Sequence, residues 1–186
     1  MNLLCANRSK PSIAAEYAMS DDFRKLFTEG LVGLYLLSYL LTGNLEKAEQ
    51  CFVAGIEDVV KSSSVFKEWA RSWTRRAIVQ NAIRMMAPRP DHTARIIDSP
   101  DLGDKFQGTE EKDTPIGTVL VLEDFKRFVF VLSVLERYSD QDCSLLLSCS
   151  REEVGEARMR ALQQISEIHH SNAASGRPAD TEAVFD

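Results

Sequence analysis

Residues 138–162, with the sequence YSDQDCSLLLSCSREEVGEARMRAL, contain two helix-start signals separated by one turn. Ser139 can cap a short helix, with Asp142 three residues later in the Asp version of a capping box. Ser150 can cap a longer helix, with Glu153 at the reciprocal position of the box. The two residues before Ser150 form the predicted turn. A short and a long helix joined in this way are typical of a helix-turn-helix unit, and they are also a generic way to complete a small helical bundle.

In a helix-turn-helix that binds DNA, the first turns of the second helix enter the major groove. The positions expected to face the groove hold two basic and two acidic side chains; they are Arg151, Glu152, Gly155, Glu156 and Arg158. This balance gives no positive footprint for phosphates. The pattern by itself therefore leaves a DNA-binding unit and a purely structural unit both open.

Further upstream, the stretch 31–61 shows apolar residues at helical spacing on both sides of a turn. Gly43 predicts a helix stop, and Asn44 can cap the helix that follows. The stripe of the first helix consists of Leu31, Leu34, Tyr35, Leu37, Ser38 and Leu41. The apolar positions of the second helix are Ala48, Cys51, Phe52, Ile56 and Val59.

Two more helices are predicted outside these stretches. After the serines at 62–64, a third helix is expected over about 65–86, ending before Pro88. The second half of the chain opens with a helix near 119–137. Because no segment combines a period of two with turn signals, the sequence predicts an all-α fold.

The predicted third helix combines basic residues with both tryptophans of the chain. Lys67, Arg71 and Arg75 are four residues apart and line one face, while Trp69 and Trp73 lie on an adjacent face. Cations beside exposed rings would suit a DNA strand, because cations can pair with phosphates and rings can stack on unpaired bases. The alternative is a structural helix with its tryptophans in the core and a solvated basic face.

Residues 87–117 separate the two helical blocks and contain four prolines and three glycines without a hydrophobic period. This length and composition are typical of a linker, so we predict two small helical domains joined by a flexible linker. The predicted divisions are an N-terminal extension at 1–20, a first domain at 21–86, the linker at 87–117, a second domain with the helix-turn-helix at 118–170, and a disordered tail at 171–186.

Composition limits the function classes. The 186 residues carry a net charge of −6, but residues 1–86 alone have 11 basic and 9 acidic side chains, net +2. Strand binding is therefore expected to depend on the third helix rather than on overall charge. No apolar run reaches the ~18 residues of a membrane span, and the N-terminus lacks a signal-peptide pattern. The cysteines Cys5, Cys51, Cys143 and Cys149 show no CxxC spacing and are expected to be reduced, which predicts a cytoplasmic protein.

Over about residues 20–170, both blocks and the linker resemble the extracytoplasmic-function group of bacterial sigma-70 factors. Residues 34–49, LYLLSYLLTGNLEKAE, are similar to the group's LYRLAYRLTGDREDAED, and residues 66–69, FKEW, resemble the start of its SFRTWL helix. The positions that match the group's region 4 pattern are Arg127, Val129, Leu132, Glu136, Ser139, Asp142, Leu146, Ser150, Val154, Arg160 and Ala161.

The resemblance implies a non-enzymatic transcription initiation factor with no cofactor and no membrane contact, whose partners are core RNA polymerase, promoter DNA and an anti-sigma factor. The first block corresponds to region 2, which binds the polymerase clamp and melts the −10 element. The second corresponds to region 4, which binds the −35 element and the polymerase flap. The residues this assigns to −10-like DNA contacts are Lys67, Trp69, Arg71, Trp73, Arg75 and Arg76. Those assigned to the −35-like helix are Ser150, Arg151, Glu153, Arg158 and Arg160. Those assigned to core polymerase are Glu46, Glu49, Gln50 and Phe52.

Three departures from the group's pattern are evident. Where the group continues with polar residues that face the polymerase, this chain has Val53 and Ala54. The loop before the third helix, at 61–65, is several residues shorter than typical, although a pocket for a flipped base needs a loop to build it. The recognition helix carries Gly155 and Glu156 where the group prefers Lys and Ser, and an acid near phosphates is repulsive.

These departures favour an alternative function, a degenerate sigma-fold module that regulates transcription by protein interaction. It would mimic a sigma factor and bind an anti-sigma factor through an apolar surface around Phe52 and Ile56. An enzyme is disfavoured, because His92, His169 and His170 fit no metal or triad pattern and the chain has no Gly-rich phosphate loop.

Overall fold

The computed structural model describes residues 17–61, 65–90 and 114–175, whose regular structure is helical apart from one isolated β-bridge. The helices of the first block are α1 (Ser20–Thr42), α2 (Leu45–Lys61) and α3 (Ala70–Met86), with a 3₁₀ turn at Lys67–Trp69 before α3. Those of the second block are α4 (Pro115–Leu120), α5 (Asp124–Phe130, continued by a π-helical turn at Val131–Leu135), α6 (Asp140–Leu147) and α7 (Arg151–Ser175). The predicted all-α class is confirmed.

The turn between α1 and α2 forms as its two residues predict. Gly43 ends α1 in the left-handed conformation, with φ of 64°, and Asn44 Oδ1 caps α2 by accepting the Lys47 N–H at 3.0 Å. The apolar stripes of both helices are mostly buried. At Gly55, α2 and α3 come so close that a Cβ atom would lie 2.8 Å from Cγ1 of Ile78. The inner face of α3 therefore lies directly on α2.

The sequence had predicted that the third helix starts near residue 65, but the helix begins at Ala70. Phe66 forms an isolated antiparallel bridge with Tyr17, and the Ala18 N–H donates to the Val65 carbonyl oxygen at 2.7 Å. This pairing holds the backbone extended, so the helix cannot start there. Tyr17 and Ala18, assigned to the N-terminal extension by the sequence, therefore pack on the first block.

The helix predicted near 119–137 is wrong at both ends. Thr114 caps the separate short helix α4 by accepting a backbone N–H at 3.0 Å, and α5 begins only at Asp124. At the far end, the π-helical turn and the left-handed Arg137, with φ of 59°, end the helix early. The sequence signal for α4 was present, since Pro115 is a proline at the first helical position.

The two predicted helix starts within 138–162 are confirmed. Ser139 Oγ accepts the Asp142 N–H at 3.1 Å. Ser150 and Glu153 form the reciprocal capping box, with hydrogen bonds of 2.7 and 3.1 Å. Ser148 makes the turn between the helices in the left-handed conformation, with φ of 53°. Whether this pair of helices acts as a DNA-binding unit depends on its side chains, described below.

The two blocks pack against each other through a buried arginine. The Arg127 guanidinium on α5 donates to the Leu41 carbonyl oxygen, in the last turn of α1, at 3.3 and 3.4 Å. It also donates to the Leu122 carbonyl oxygen at 3.0 Å and to Asp124 Oδ1 at 2.7 Å. The C-terminus of a helix carries unsatisfied carbonyls and partial negative charge, so a cation there is stabilising. Around this contact, buried apolar residues of both blocks form one cluster.

The predicted division into two domains joined by a flexible linker stays a prediction, because residues 91–113 lie outside the described part of the chain. The same holds for residues 1–16 of the N-terminal extension predicted at 1–20 and for residues 176–186 of the tail predicted at 171–186. Helix α7 continues to Ser175, past the predicted domain end at 170. Ala173 and Ala174, which have high helix propensity, account for the longer helix.

Candidate nucleic-acid interface

Both tryptophans lie on the outer face where α3 begins. Phe66 supports this end: its ring stacks on Tyr17 with centroids 4.7 Å apart and meets Trp69 edge to face at 5.2 Å. The side chain of Trp69 is nevertheless 58% exposed, and that of Trp73 is 42% exposed. The alternative prediction, a structural helix with its tryptophans in the core, is therefore wrong.

The basic residues of this segment differ in whether they are already paired. Lys67 Nζ lies 3.3 Å from Oδ2 of Asp22 on α1, and Arg75 pairs with a carboxylate of the second block. Arg71 and Arg76 are exposed, and neither makes a hydrogen bond or ion pair with any residue of the described chain. Arg76 lines the same groove as both tryptophans, and Arg71 is a second exposed guanidinium group on this segment.

Arg75 forms the ionic contact between the blocks. Its Nε donates to Glu136 Oε2 at 2.6 Å and its Nη2 donates to the other carboxylate oxygen, which makes the pair bidentate. The Glu136 side chain is 11% exposed and that of Arg75 is 36% exposed, so salt screens this pair less than a fully exposed one. The hydrogen bond to Glu136 raises the pKa of Arg75. Arginine binds phosphate in the same bidentate way.

A groove of about 1110 Å³ lies between α3 and the end of α5. The π-helical turn and the left-handed Arg137 reverse the chain at this end, so that Glu136 and Tyr138 line the groove opposite α3. Burial raises the pKa of the Tyr138 hydroxyl. The α3 side of the groove is formed by Trp69, Trp73, Arg75 and Arg76.

This second wall of the groove is absent from the predicted site. Glu136 has a place in the region 4 resemblance but no assigned role, and Tyr138 merely precedes the helix-turn-helix. No local pattern could bring them to α3, because 61 residues separate Arg75 from Glu136. The available signal was electrostatic, since Glu136 is an acid at the end of an apolar helix in a chain whose other block is basic.

The basic residues at the start of α7 are mostly engaged within the second block. Two of the five predicted residues form the α7 cap. Arg158 makes a bidentate pair with Asp140 on α6, with Nη2 3.1 Å from Oδ2, and this contact lowers the pKa of Asp140. Arg160 Nη2 lies 3.1 Å from Glu156 Oε2 one turn away. Of the predicted set, Arg151 is the arginine left exposed and without an ion pair inside the described residues.

The predicted polymerase contacts on α2 fall into two sets. The exposed members are Glu46, Glu49 and Gln50. Phe52, in contrast, is only 9% exposed, and its ring meets those of Phe27 and Tyr35 edge to face at 6.2 and 6.0 Å. The prediction of an apolar surface around Phe52 is wrong, because this residue lies on the helix face that packs into the core.

Helix α2 does expose other apolar side chains, and they are Leu45, Val53 and Val60. They lie away from the buried stripe of Ala48, Cys51, Phe52, Gly55 and Val59. Assigning that stripe to the core at helical spacing would have placed these three residues on the surface. The apolar surface on α2 is therefore real but formed by different residues.

The rest of the described chain has few groups that could react with a substrate or bind a metal ion. Cys51, Cys143 and Cys149 are free thiols, and burial raises the pKa of Cys51 and of Cys143 to about 11, which keeps both protonated at neutral pH. Cys5 lies outside the described residues. Among the residues with described positions, no three His, Cys, Asp or Glu side chains come together to hold a metal ion. None of the described helices has the length and apolarity to cross a membrane.

Comparisons with known proteins give structural similarity but no sequence match. No protein-family model and no curated protein matches the chain. Among solved structures, the chain is similar to the sigma factor RpoE in complex with the anti-sigma factor NepR from Bartonella quintana. The identity is 16% and the TM-score 0.43, with 81% of this chain and 98% of that chain covered.

Proposed function

We propose that this protein is a transcription initiation factor of the extracytoplasmic-function sigma type, in which α3 binds one strand of promoter DNA. The observation that carries the proposal is that exposed Trp69 and Trp73 line one groove with Arg76, which has no ion pair within the described residues, while Arg71 of the same segment is also exposed. Tryptophan is highly buried on average, so two exposed indole rings on one helix point to a ligand. Indole rings stack on unpaired bases, and guanidinium groups pair with phosphates.

A single strand suits this surface better than a duplex. Trp69 and Trp73 are four residues apart, which is about 6 Å along the helix axis. Their rings need the exposed face of an unstacked base, and a closed duplex does not offer one. Residues 1–86 carry a net charge of only +2. Binding would therefore depend on stacking as well as on phosphate contacts, and it would weaken as salt concentration rises.

Core RNA polymerase would bind the outer face of α2. Glu46, Glu49 and Gln50 are exposed there and can contact a basic partner. Promoter recognition by α6 and α7 as a helix-turn-helix has weaker support, because Arg158 and Arg160 are paired with acids and leave Arg151 as the one arginine of this set without an ion pair inside the described part of the chain.

A second candidate is a sigma-fold regulator that binds an anti-sigma factor and has lost promoter reading. The short connection between α2 and α3 favours it: α2 ends at Lys61 and the 3₁₀ turn starts at Lys67. This leaves little chain to form a pocket for a flipped base. The contact surface would be the exposed apolar residues of α2, namely Leu45, Val53 and Val60.

Titration with purified core polymerase, followed by transcription from a promoter library, separates the two candidates. The sigma function predicts a stable complex and promoter-dependent transcripts. The regulator function predicts neither, together with a stoichiometric complex with an anti-sigma protein encoded in the same genome. If neither core polymerase nor an anti-sigma protein is bound, both candidates are wrong.

A charge-reversal pair locates the polymerase contact. Glu46→Lys with Glu49→Lys should weaken core polymerase binding by about tenfold or more, because it places like charges against a basic partner. Glu29→Lys with Glu167→Lys changes the net charge equally, at exposed positions on α1 and α7, and should change the affinity by less than about twofold. Equal losses in both double variants would rule out a specific contact on α2.

A further inference from the structure

The proposed strand site on α3 already faces an anion of the protein itself. Glu136 sits on the opposite wall of the groove and holds Arg75 in a bidentate pair. Carboxylate and phosphate present similar pairs of oxygens to a guanidinium group. Glu136 therefore occupies on Arg75 the position that a phosphate of a bound strand would take.

The groove is also unfavourable for a strand in its present arrangement. A phosphate backbone lying along Trp73 and Arg75 would run past Glu136 and Asp142, two carboxylates on the opposite wall. The negative phosphates of the strand and these two carboxylates would repel each other. Because the groove is partly buried, salt would screen this repulsion only in part. Arg137 supplies one cation on that wall, which leaves the wall net acidic.

The Arg75–Glu136 pair, which obstructs the strand site, is separate from the Arg127 contact that holds the two helical blocks together. Arg127, nine residues before Glu136, binds the Leu41 carbonyl at the end of α1 and does not line the groove. The ionic pair is the part of the interface that a competing anion can displace.

We infer that the second block is a built-in competitor of the DNA strand, with Glu136 acting as a mimic of a backbone phosphate on α3. This inference rests on the proposed strand-binding function. It means that the free protein holds its own strand site partly closed, and that strand binding and docking of the α5 end against α3 exclude each other. Any partner that pulls the second block away from α3 would raise the affinity for the strand.

The test compares Glu136→Gln with Glu167→Gln in the full chain. Glutamine keeps the shape of the side chain and removes the charge that holds Arg75, while Glu167 is an exposed acid on α7 away from the groove. The two tryptophans report binding of a single-stranded oligonucleotide by fluorescence quenching. Glu136→Gln should bind the strand about three- to tenfold more tightly than wild type, and Glu167→Gln should stay within about twofold.

A second readout needs no DNA. Small-angle scattering should show a larger radius of gyration for Glu136→Gln than for Glu167→Gln, because the docked end of α5 is released. If wild type binds the strand and both variants bind it equally, the competition is refuted and the strand function stands. If Glu136→Gln expands but no form of the protein binds the strand, the strand function fails and the competition fails with it. Circular dichroism on both variants confirms that the helices remain folded.

Discussion

The first turns of α3 and α7 both carry arginines in a pattern that predicts DNA contact, yet the two helices hold them differently. On α3, Arg71 and Arg76 are exposed and have no hydrogen-bond or ion-pair partner in the described chain, and Arg76 lines a groove with both tryptophans. On α7, Arg158 is held by Asp140 and Arg160 by Glu156. The comparison shows that a basic helix pattern predicts the position of an arginine, whereas acids on the same or a neighbouring helix decide whether its charge is available.

The largest expected effect concerns two glycines, Gly55 on α2, where α3 packs on it, and Gly155 on α7. Gly55→Ala should lower the free energy of unfolding by about 1–3 kcal/mol, because the new Cβ would lie 2.8 Å from Ile78 Cγ1 and 3.4 Å from its Cα, where α3 packs on α2. Gly155→Ala on α7 meets no atom within 4 Å and should gain up to about 1 kcal/mol from helix propensity. Urea denaturation of both variants checks this.

A neutral Gly55→Ala would contradict the close approach of α2 and α3 on which the α3 surface rests. A destabilising Gly155→Ala would mean that α7 packs more tightly at this point than the structure shows.

The next effect separates structural from DNA-binding arginines. Arg158→Met should lower the free energy of unfolding by about 0.5–1 kcal/mol, because it removes the pair with Asp140 that joins α6 to α7 while part of both side chains remains exposed. Its affinity for a single strand should be unchanged. Arg160→Met, which removes a fully exposed pair within α7, should cost less than about 0.5 kcal/mol.

This distinction would be contradicted if Arg158→Met lost affinity for the single strand while its free energy of unfolding stayed at the wild-type value. Urea denaturation gives the free energy of unfolding, and oligonucleotide titration of the same samples gives the affinity for the strand.

The smallest expected effect is a loss of folding stability at acid pH, to which one carboxylate in each block contributes. The hydrogen bond from Asn81, together with Arg84, lowers the pKa of Asp58, and the contact with Arg158 lowers that of Asp140. Each carboxylate thus contributes stability that is present above its unfolded pKa of about 3.9 and is lost as pH falls through the lower folded value. Because both are partly exposed, each contribution should be below about 1 kcal/mol.

Urea denaturation at pH 5 and pH 3 measures this contribution in each block. Asp58→Asn and Asp140→Asn should each lose less stability between these two pH values than wild type does. A loss as large as that of wild type in either variant would show that the corresponding pair does not stabilise its block.

The features that the sequence could predict are those set by short-range hydrogen bonds. Gly43 with Asn44, and the caps at Ser139 and Ser150, depend on backbone and side-chain groups within a few residues, so their positions follow from residue type. The start of α3 could not be predicted in this way, because the bridge between Tyr17 and Phe66 overrides the local helix pattern.

The candidate site was predictable on one side only. The spacing of Trp69, Trp73 and the basic residues placed them together on α3, but their exposure depends on what the second block covers. Glu136 reaches Arg75 across 61 residues, and no local signal encodes that contact. Phe52 lies on the buried apolar stripe that its helical spacing predicts, and not on the surface that the family resemblance implies.

The central claim is that α3, and not α7, binds a single DNA strand. Quenching of Trp69 and Trp73 fluorescence by a single-stranded oligonucleotide tests it, with Arg71→Ala/Arg76→Ala compared with Arg151→Ala/Arg160→Ala, two variants that lose the same charge at exposed positions. The account predicts that the α3 variant binds about tenfold more weakly than wild type, while the α7 variant changes by less than about twofold. Equal losses in the two variants, or no loss in the α3 variant, would contradict it.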